Sequence, residues 1–286
     1  MYSLLTARST SSLQKKLDLW RSTGGRVALV PTMGNLHEGH LRLIDIARLS
    51  ADQVVCSIFV NPVQFAEDED FSCYPRTPDD DVAVLVEQGV VDLLYLPDVD
   101  TIYPYGTDSA VSIQLPALSK DLCGAMRPGH FNGVASVVLR LLNLLAPDVL
   151  VLGDKDYQQK ILLERMIRDL HLPIEIVGVE IHRESDGLAM SSRNAYLSAE
   201  ERSIAPTLYA SLLALADALR KGETNYSQLE LIAIKKIAAI GLEPEYVTVR
   251  RVCDLAPAGL FKPDDKRIVL GAAKLGRARI IDNVRV

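Results

Sequence analysis

Four apolar residues, Val27-Ala28-Leu29-Val30, stand between Gly25 and the run Pro31-Thr32-Met33-Gly34, and an amphipathic stretch from Leu41 to Leu49 follows. Such a run, closed by glycine and proline, reads as a buried parallel strand entering a turn. Leu41, Ile44 and Ala47, with Leu43, Ile46 and Leu49 one place on, then recur at helical spacing. Strand, glycine-bearing turn and helix in that order put His37 and His40 one helical turn apart where the helix begins. Unpaired backbone N–H groups and the positive end of the helix dipole attract anions there. Gly34 and Gly39 let a ligand lie close to the backbone, so the pattern predicts a phosphate site. Histidines at i and i+3 fall one residue short of the zinc-protease signature, and no run ends in the Gly-Lys-Ser or Gly-Lys-Thr of a P-loop. Two histidines that merely cap a helix are the bland alternative, and four positions do not decide between the two.

The same alternation continues along the chain. A short strand and a helix precede Gly24-Gly25, with Ser11 and Gln14 as the expected capping box. Further strands are expected at Gln53–Val60, Val91–Leu96, Val149–Leu152 and Ile174–Ile181, and helices from Asp79 to about Gly89, from Val134 onward and from Ile161 to Leu170. The three carboxylates Asp79, Asp80 and Asp81 suit the start of their helix better than a magnesium role. This spacing predicts an α/β fold, a Rossmann-like doubly wound parallel sheet, whose ligands lie outside the carboxyl ends of the strands. Polar loops at His37, Gln64 and Lys155 follow such ends and are expected to converge. The loop through Glu67-Asp68-Glu69-Asp70 to Pro78 suits a mobile lid or a solvated connection equally.

Past Ile181 the pattern changes. Arg183–Gly187 is rich in turn formers, Ser198 and Glu201 form a capping box, and Pro206 must kink or restart the helix behind them. A helix from about Ser227 to Ile240 and strands at Tyr246–Val252, Arg267–Ala272 and Arg279–Val284 suggest a small antiparallel sheet. The expected division is 1–181 for the nucleotide-binding domain and 182–286 for a smaller α+β domain. A chain of 286 residues is long enough for two cores.

Composition narrows the function. With a net charge of -6 and 24% charged residues the chain lacks the basic face of a nucleic-acid binder. No apolar run is long enough to span a bilayer, the first residues are too short for a signal peptide, and Cys56, Cys73, Cys123 and Cys253 form no C-x-x-C pair. A cytoplasmic protein with reduced thiols and no dedicated metal site is expected.

Ser191-Ser192-Arg193 beyond the sheet and Gly153-Asp154-Lys155-Asp156 after a strand are weak signals singly, since each is a common surface string. Together with the His37–His40 motif they carry more weight, because a fixed guanidinium fork, hydroxyls and a lysine are groups that grip phosphate. The runs P-T-M-G-N-L-H-E-G-H, F-V-N-P-V-Q-F, Y-P-R-T, R-P-G-H-F-N-G-V, G-D-K-D-Y-Q-Q and D-G-L-A-M-S-S-R-N-A-Y-L-S occur in order from about residue 27 to 202. In these runs the chain closely resembles the pantothenate synthetase family, nucleotidyltransferases with modified H-x-G-H and K-M-S-K-S-type motifs. The resemblance implies ATP-dependent condensation of pantoate with β-alanine through a pantoyl-adenylate, giving pantothenate, AMP and pyrophosphate. It implies an ATP site at Met33, Gly34, Asn35, Leu36, His37, Glu38, Gly39 and His40, at Gly153, Asp154, Lys155 and Asp156, and at His182, Met190, Ser191, Ser192 and Arg193. By the same resemblance His40, Lys155 and Arg193 are catalytic, Gln64 and Gln159 hold substrate, and Arg127 and His130 face it. It implies Mg2+ with the ATP, a homodimer, and no nucleic-acid or membrane partner. His182, the acidic 66–70 segment and Asp154 depart from the family pattern. A small aminoacyl-tRNA synthetase relative and a non-catalytic nucleotide sensor are the rival readings.

Overall fold

A computed structural model describes residues 4–67, 69–262 and 264–286. Asp68, within the expected lid, lies outside the described residues. The chain forms two compact units: residues up to Asp154 together with Leu162–Glu180, and Lys155–Ile161 together with Ile181–Val286.

The first unit runs β1 (Leu5–Ala7), α1 (Thr10–Ser22), β2 (Val27–Thr32), α2 (Glu38–Ser50), β3 (Gln53–Ile58), α3 (Pro78–Gln88), β4 (Leu93–Tyr95), α4 (Val99–Ile102), α5 (Cys123–Met126), α6 (His130–Leu145), β5 (Val149–Gly153), most of α7 (Tyr157–Asp169) and β6 (Glu175–Val179). Among the described residues its strands form one six-stranded parallel sheet in the order β1-β4-β3-β2-β5-β6. From β2 the chain builds outward through β3 to β4 and then returns to add β5 on the other side. The order therefore reverses between β2 and β5, the position at which sheets of this kind hold ligands beyond the carboxyl ends. Both faces of the sheet are covered. Ala28, Val30, Val54, Cys56, Val149 and Val151 pack with Ile44 and Ala47 of α2 and Leu85 of α3. Strand alternation turns Val27, Leu29, Val55 and Leu150 to the opposite face, and all are buried. Burial pushes the Cys56 thiol up to about 12, which makes it an inert core residue.

Several boundaries differ from the sequence expectation. The α1 capping box is Ser9 with Ser12, each hydroxyl accepting from the other's backbone N–H at 3.2 Å, because serine at the fourth position serves as glutamine would. Gln14 instead donates to Leu144 O at 2.6 Å, near the end of α6. α2 starts at Glu38 with His37 as its N-cap, and its stripe is narrower than expected, since Leu49 is 81% exposed. α7 begins at Tyr157, which places Gln159 on a helix and not in the loop. α3 stops at Gly89, whose positive φ of 66° ends the helix as its position suggests.

The second unit carries α8 (Ala199–Ile204), α9 (Thr207–Arg220), α10 (Tyr226–Ala238) and the antiparallel strands β7 (Glu243–Arg251), β8 (Arg267–Leu275) and β9 (Ala278–Arg285). Ser198 and Glu201 make the expected capping box, and Pro206 separates α8 from α9. Leu208, Leu212 and Leu215 of α9 pack on Val247, Val249, Val269 and Ala273 of the sheet. Lys155–Ile161 groups here because Asn283 Nδ2 donates to Lys155 O at 3.2 Å and the Tyr157 hydroxyl donates to Val252 O at 3.1 Å.

Gly133 marks where α6 presses on the loop after β3. A Cβ there would lie 2.5 Å from Val63 O and 2.7 Å from Gln64 Cα, both backbone atoms with no room to yield. Alanine ordinarily favours a helix over glycine by about 1 kcal/mol. At this position we expect Gly133→Ala to destabilise the protein by about 1–3 kcal/mol in urea unfolding, because overpacking outweighs helix propensity.

Candidate active site

The loop between β2 and α2 is shaped by one buried carboxylate. Gly34 and Asn35 both have positive φ, 82° and 50°, a conformation open to glycine and tolerated by asparagine. Their turn points the next two amides inward, and Asp81 of α3 accepts from Asn35 N at 3.0 Å and from Leu36 N at 2.7 Å. Asp81 is 2% exposed. It is therefore a brace for the loop, more than the helix-start charge the sequence suggested, and the amides of Asn35 and Leu36 are spent within the protein. Thr32 Oγ1 completes the turn by accepting from Gly34 N at 3.3 Å while donating to Ser57 O at 2.9 Å. Met33 is half-buried beside Gln64, Glu38 is exposed, and Gly39 is half-buried.

With the loop braced, His37 and His40 stack with ring centroids 4.0 Å apart. The His37 backbone N–H donates to His40 Nδ1 at 3.3 Å. A backbone N–H can only donate, so Nδ1 carries the lone pair and the neutral ring holds its proton on Nε2. His40 therefore presents an N–H donor at the amino end of a 13-residue helix, where the dipole already favours an anion.

The neighbouring strand β3 delivers a second polar group. Asn61 caps the single 3-10 turn Pro62–Gln64, and Gln64 Nε2 donates to Met33 Sδ at 3.1 Å. The loops after β2 and β3 thus meet, as their polar endings predicted. Arg127 and His130 hold the far side of this turn. Arg127 can only donate to His130 Nε2, 2.9 Å away, so His130 Nδ1 bears hydrogen and donates to the Gln64 carbonyl at 2.8 Å. Arg127 also grips Glu69 with both arms of its fork, at 2.5 and 2.7 Å. The acidic segment is therefore anchored by an ion pair at Glu69. Burial raises the Glu69 carboxyl, but the hydrogen bonds and charge of Arg127 more than offset this and hold it below the ordinary carboxylate range.

The chain leaves β5 through Gly153 and the buried Asp154. In the second unit, Lys155 lies 3.9 Å from Asp156, whose side chain is half exposed. Lys155, Ser191 and Asn194 line one small cleft together with Arg279 and Asp282. Met190 N donates to His182 O at 3.0 Å, so these two residues face each other across a turn. That turn is fixed by Arg183, which pairs with Asp282 at 2.6 and 2.8 Å and stacks 3.6 Å over the Tyr209 ring. Ser191 Oγ accepts from Arg193 N and caps the 3-10 turn Ser192–Tyr196. His182 is exposed; Ser192, Arg193 and Gln159 are half-buried.

Asp81, Asn61, Glu69, Arg183 and Asp282 are the structural supports of these loops that residue patterns missed. Among the described residues no three His, Cys, Asp or Glu side chains gather as a metal cage, and no helix is long and apolar enough to cross a membrane.

A six-stranded parallel sheet that reverses order beside a helix bearing H-x-G-H places the chain in the Rossmann-like α/β class. The sequence profile of the pantoate-beta-alanine ligase family matches residues 5–285, and the chain belongs to that family and is a ligase. It is 48% identical over 284 residues to the pantothenate synthetase of Chromohalobacter salexigens, covering 99% of each chain. It is 49% identical to that of Thioalkalivibrio sulfidiphilus over 98% of this chain and 97% of the relative. The crystal structure of pantothenate synthetase from Thermus thermophilus superposes with a TM-score of 0.89 at 41% identity, over 98% of this chain and 99% of that one. The pantoate-beta-alanine ligase of Francisella tularensis, complexed with β,γ-ATP and β-alanine, gives 0.81 at 31% identity, over 99% and 98%.

Two outcomes test the supports. In Asp81→Asn an amide nitrogen must face a backbone N–H, so hydrogen-exchange protection at Asn35 and Leu36 should fall and stability should drop by about 1–3 kcal/mol. Unchanged protection at both amides would show that the carboxylate does not hold the loop. Because the folded Glu69 carboxyl titrates below its unfolded value, its stabilisation is complete above the unfolded value and is lost as pH falls through the folded one. The stability gap between wild type and Glu69→Gln should accordingly be largest near neutrality and close in acid; a gap that ignores pH would assign it to something other than charge.

Proposed function

We propose that this ligase joins pantoate to β-alanine at the expense of ATP, through a pantoyl-adenylate. The observation that carries the proposal is the His40 ring at the start of α2, whose Nδ1 accepts the His37 N–H so that its proton sits on Nε2. A donor that approaches phosphate without adding a proton-transfer step suits a reaction whose main difficulty is crowded negative charge. The Francisella ligase, which is complexed with β,γ-ATP and β-alanine, supports the same substrate pair here.

A carboxylate and an amine do not condense in water, because the carboxylate is a poor electrophile. In the proposed first step a pantoate carboxylate oxygen attacks the α-phosphorus, the bond to the bridging oxygen breaks, and pyrophosphate leaves with the electron pair. In the second, the neutral β-alanine amine attacks the acyl carbon, the bond from that carbon to the phosphate oxygen breaks, AMP leaves with the electron pair, and the amine nitrogen releases a proton to solvent. His40, Lys155 and Arg193 are assigned to the phosphates, with Met33–Gly39, Gly153, Asp154, Asp156, His182, Met190, Ser191 and Ser192 lining the nucleotide site. The shared cleft of Lys155 and Ser191 supports part of this assignment. Gln64 and Gln159 are assigned to pantoate, because a neutral amide holds a hydroxy acid without quenching the attacking carboxylate.

Magnesium fits this donor set. With no three-residue cage among the described residues, the ion would ride on phosphate oxygens and water, with Asp154 and Asp156 as carboxylates available in the assigned site. When bound, it spreads the charge of the triphosphate. A homodimer is proposed on family grounds, and light scattering should return twice the 31.4 kDa chain mass.

The deciding assay is exchange of labelled pyrophosphate into ATP with pantoate as the only added acid. Wild type should catalyse it, and His40→Ala and Lys155→Ala should each lose about a hundredfold or more with unchanged circular dichroism. Exchange that proceeds in both variants, or that wild type catalyses with an amino acid and not with pantoate, would overturn the assignment.

A further inference from the structure

β9 carries two consecutive polar residues, Asp282 and Asn283, and both are buried, at 5% and 6% exposed. Successive strand residues turn to opposite faces, so Asp282 shares the α9 side with Ile280 and Val284 while Asn283 takes the other. On its side Asp282 accepts both arms of the Arg183 fork, at 2.6 and 2.8 Å, and Arg183 also donates to Gly187 O at 3.0 Å. The carboxylate thereby holds, through one guanidinium, the turn that leads into Met190–Arg193. On the other side Asn283 Nδ2 donates to Lys155 O at 3.2 Å, and since a carbonyl only accepts, the nitrogen is the atom that meets it. The two residues are themselves joined, because Asn283 N donates to Asp282 Oδ1 at 2.7 Å and Arg183 reaches the Asn283 carbonyl at 3.4 Å. Each arm has further ties, Tyr157 to Val252 O for the one and Asn194 to Glu184 and Ala189 O for the other. Those ties do not join the arms to each other. Burial raises the Asp282 carboxyl although Arg183 and, less strongly, Lys155 oppose it, so a charge here is costly. Stability alone gives such a pair little reason to exist, since well-packed apolar groups commonly replace a buried ion pair without loss.

We propose that Asp282 and Asn283 are positioning residues for ATP, which couple the Lys155 arm to the Ser191–Arg193 arm around the cleft that Lys155 and Ser191 both line. Two groups that grip one polyphosphate bind it best when their spacing is set beforehand, because binding otherwise bears the cost of ordering them. The Arg183–Asp282 pair and the Asn283 amide set that spacing from a single strand. The coupling rests on the assignment of Lys155, Ser191 and Arg193 to the phosphates made above.

Calorimetric titration with ATP and Mg2+, without pantoate so that no reaction follows, separates this coupling from a merely structural role. Asn283→Ala removes the tie to Lys155 and leaves the ion pair in place. Its ATP Kd should rise about tenfold. In a Lys155→Ala background the same substitution should change Kd by less than about twofold, because Asn283 acts through Lys155 and the two effects do not add. Asp282→Asn takes the countercharge from Arg183 and loosens both arms, so a rise of about fivefold should persist even in the Lys155→Ala background. All variants are checked for folding by thermal melt, and if Asp282→Asn does not fold, the Asn283 cycle carries the test. An unchanged Kd in folded Asn283→Ala, or a rise that adds in full to that of Lys155→Ala, would overturn the coupling. Wild type that binds no ATP, or Lys155→Ala that binds it as tightly as wild type, would instead overturn the functional assignment beneath it.

Discussion

Two parallel pairings of one buried strand set the geometry of the first unit. β2 bonds to β3 along its whole length, from Val27 opposite Gln53 to Thr32 opposite Ile58, and to β5 at Ala28 and Leu29. Parallel strands need crossovers, so each strand leaves the sheet at the same end and sends a loop there. The chain returns to add β5 on the far side of β2, which makes this the point where the strand order reverses. The H-x-G-H helix start, the Asn61–Gln64 turn and the Gly153–Asp154 exit all belong to these three neighbouring strands.

What the strands bring to one end, buried hydrogen bonds then orient. An unmet donor or acceptor away from water costs free energy comparable to the bond itself, so the groups behind the site are limited to few arrangements. Three irreversible partners decide most of them: the His37 amide for the His40 ring, the Arg127 guanidinium for the His130 ring, and the Gly133 carbonyl for the Asn61 amide. Each is a group that only donates or only accepts. Side chains at this end of the sheet are thereby set in direction by the fold itself, which is the condition under which electrostatic stabilisation costs no rearrangement.

The second unit uses the same device in a different setting. Its Ser191–Arg193 segment follows a tight turn, and Arg183, fixed by Asp282 and stacked on Tyr209, holds that turn to β9 and α9. Asn194 adds a tie to Glu184 and to Ala189 O. A hydroxyl-rich string that is unremarkable as sequence is thus held in a defined shape.

The sequence by itself determined the elements and their order. Apolar period and turn residues are local signals, so the β2–α2 unit, the stop at Gly89, the break at Pro206 and the capping box at Ser198 were all readable from neighbours a few residues away. The motif residues were equally readable, because H-x-G-H and S-S-R are short. Tertiary structure alone decided what braces them: Asp81 reaches an amide 46 residues away, Tyr103 an amide side chain 42 away, and Arg127 a carboxylate 58 away. A hydrogen bond between distant residues leaves no period and no spacing in either partner's neighbourhood. Asp81 looked like one of three helix-start acids, and only the packing of α3 against the β2–α2 loop distinguishes it from Asp79 and Asp80.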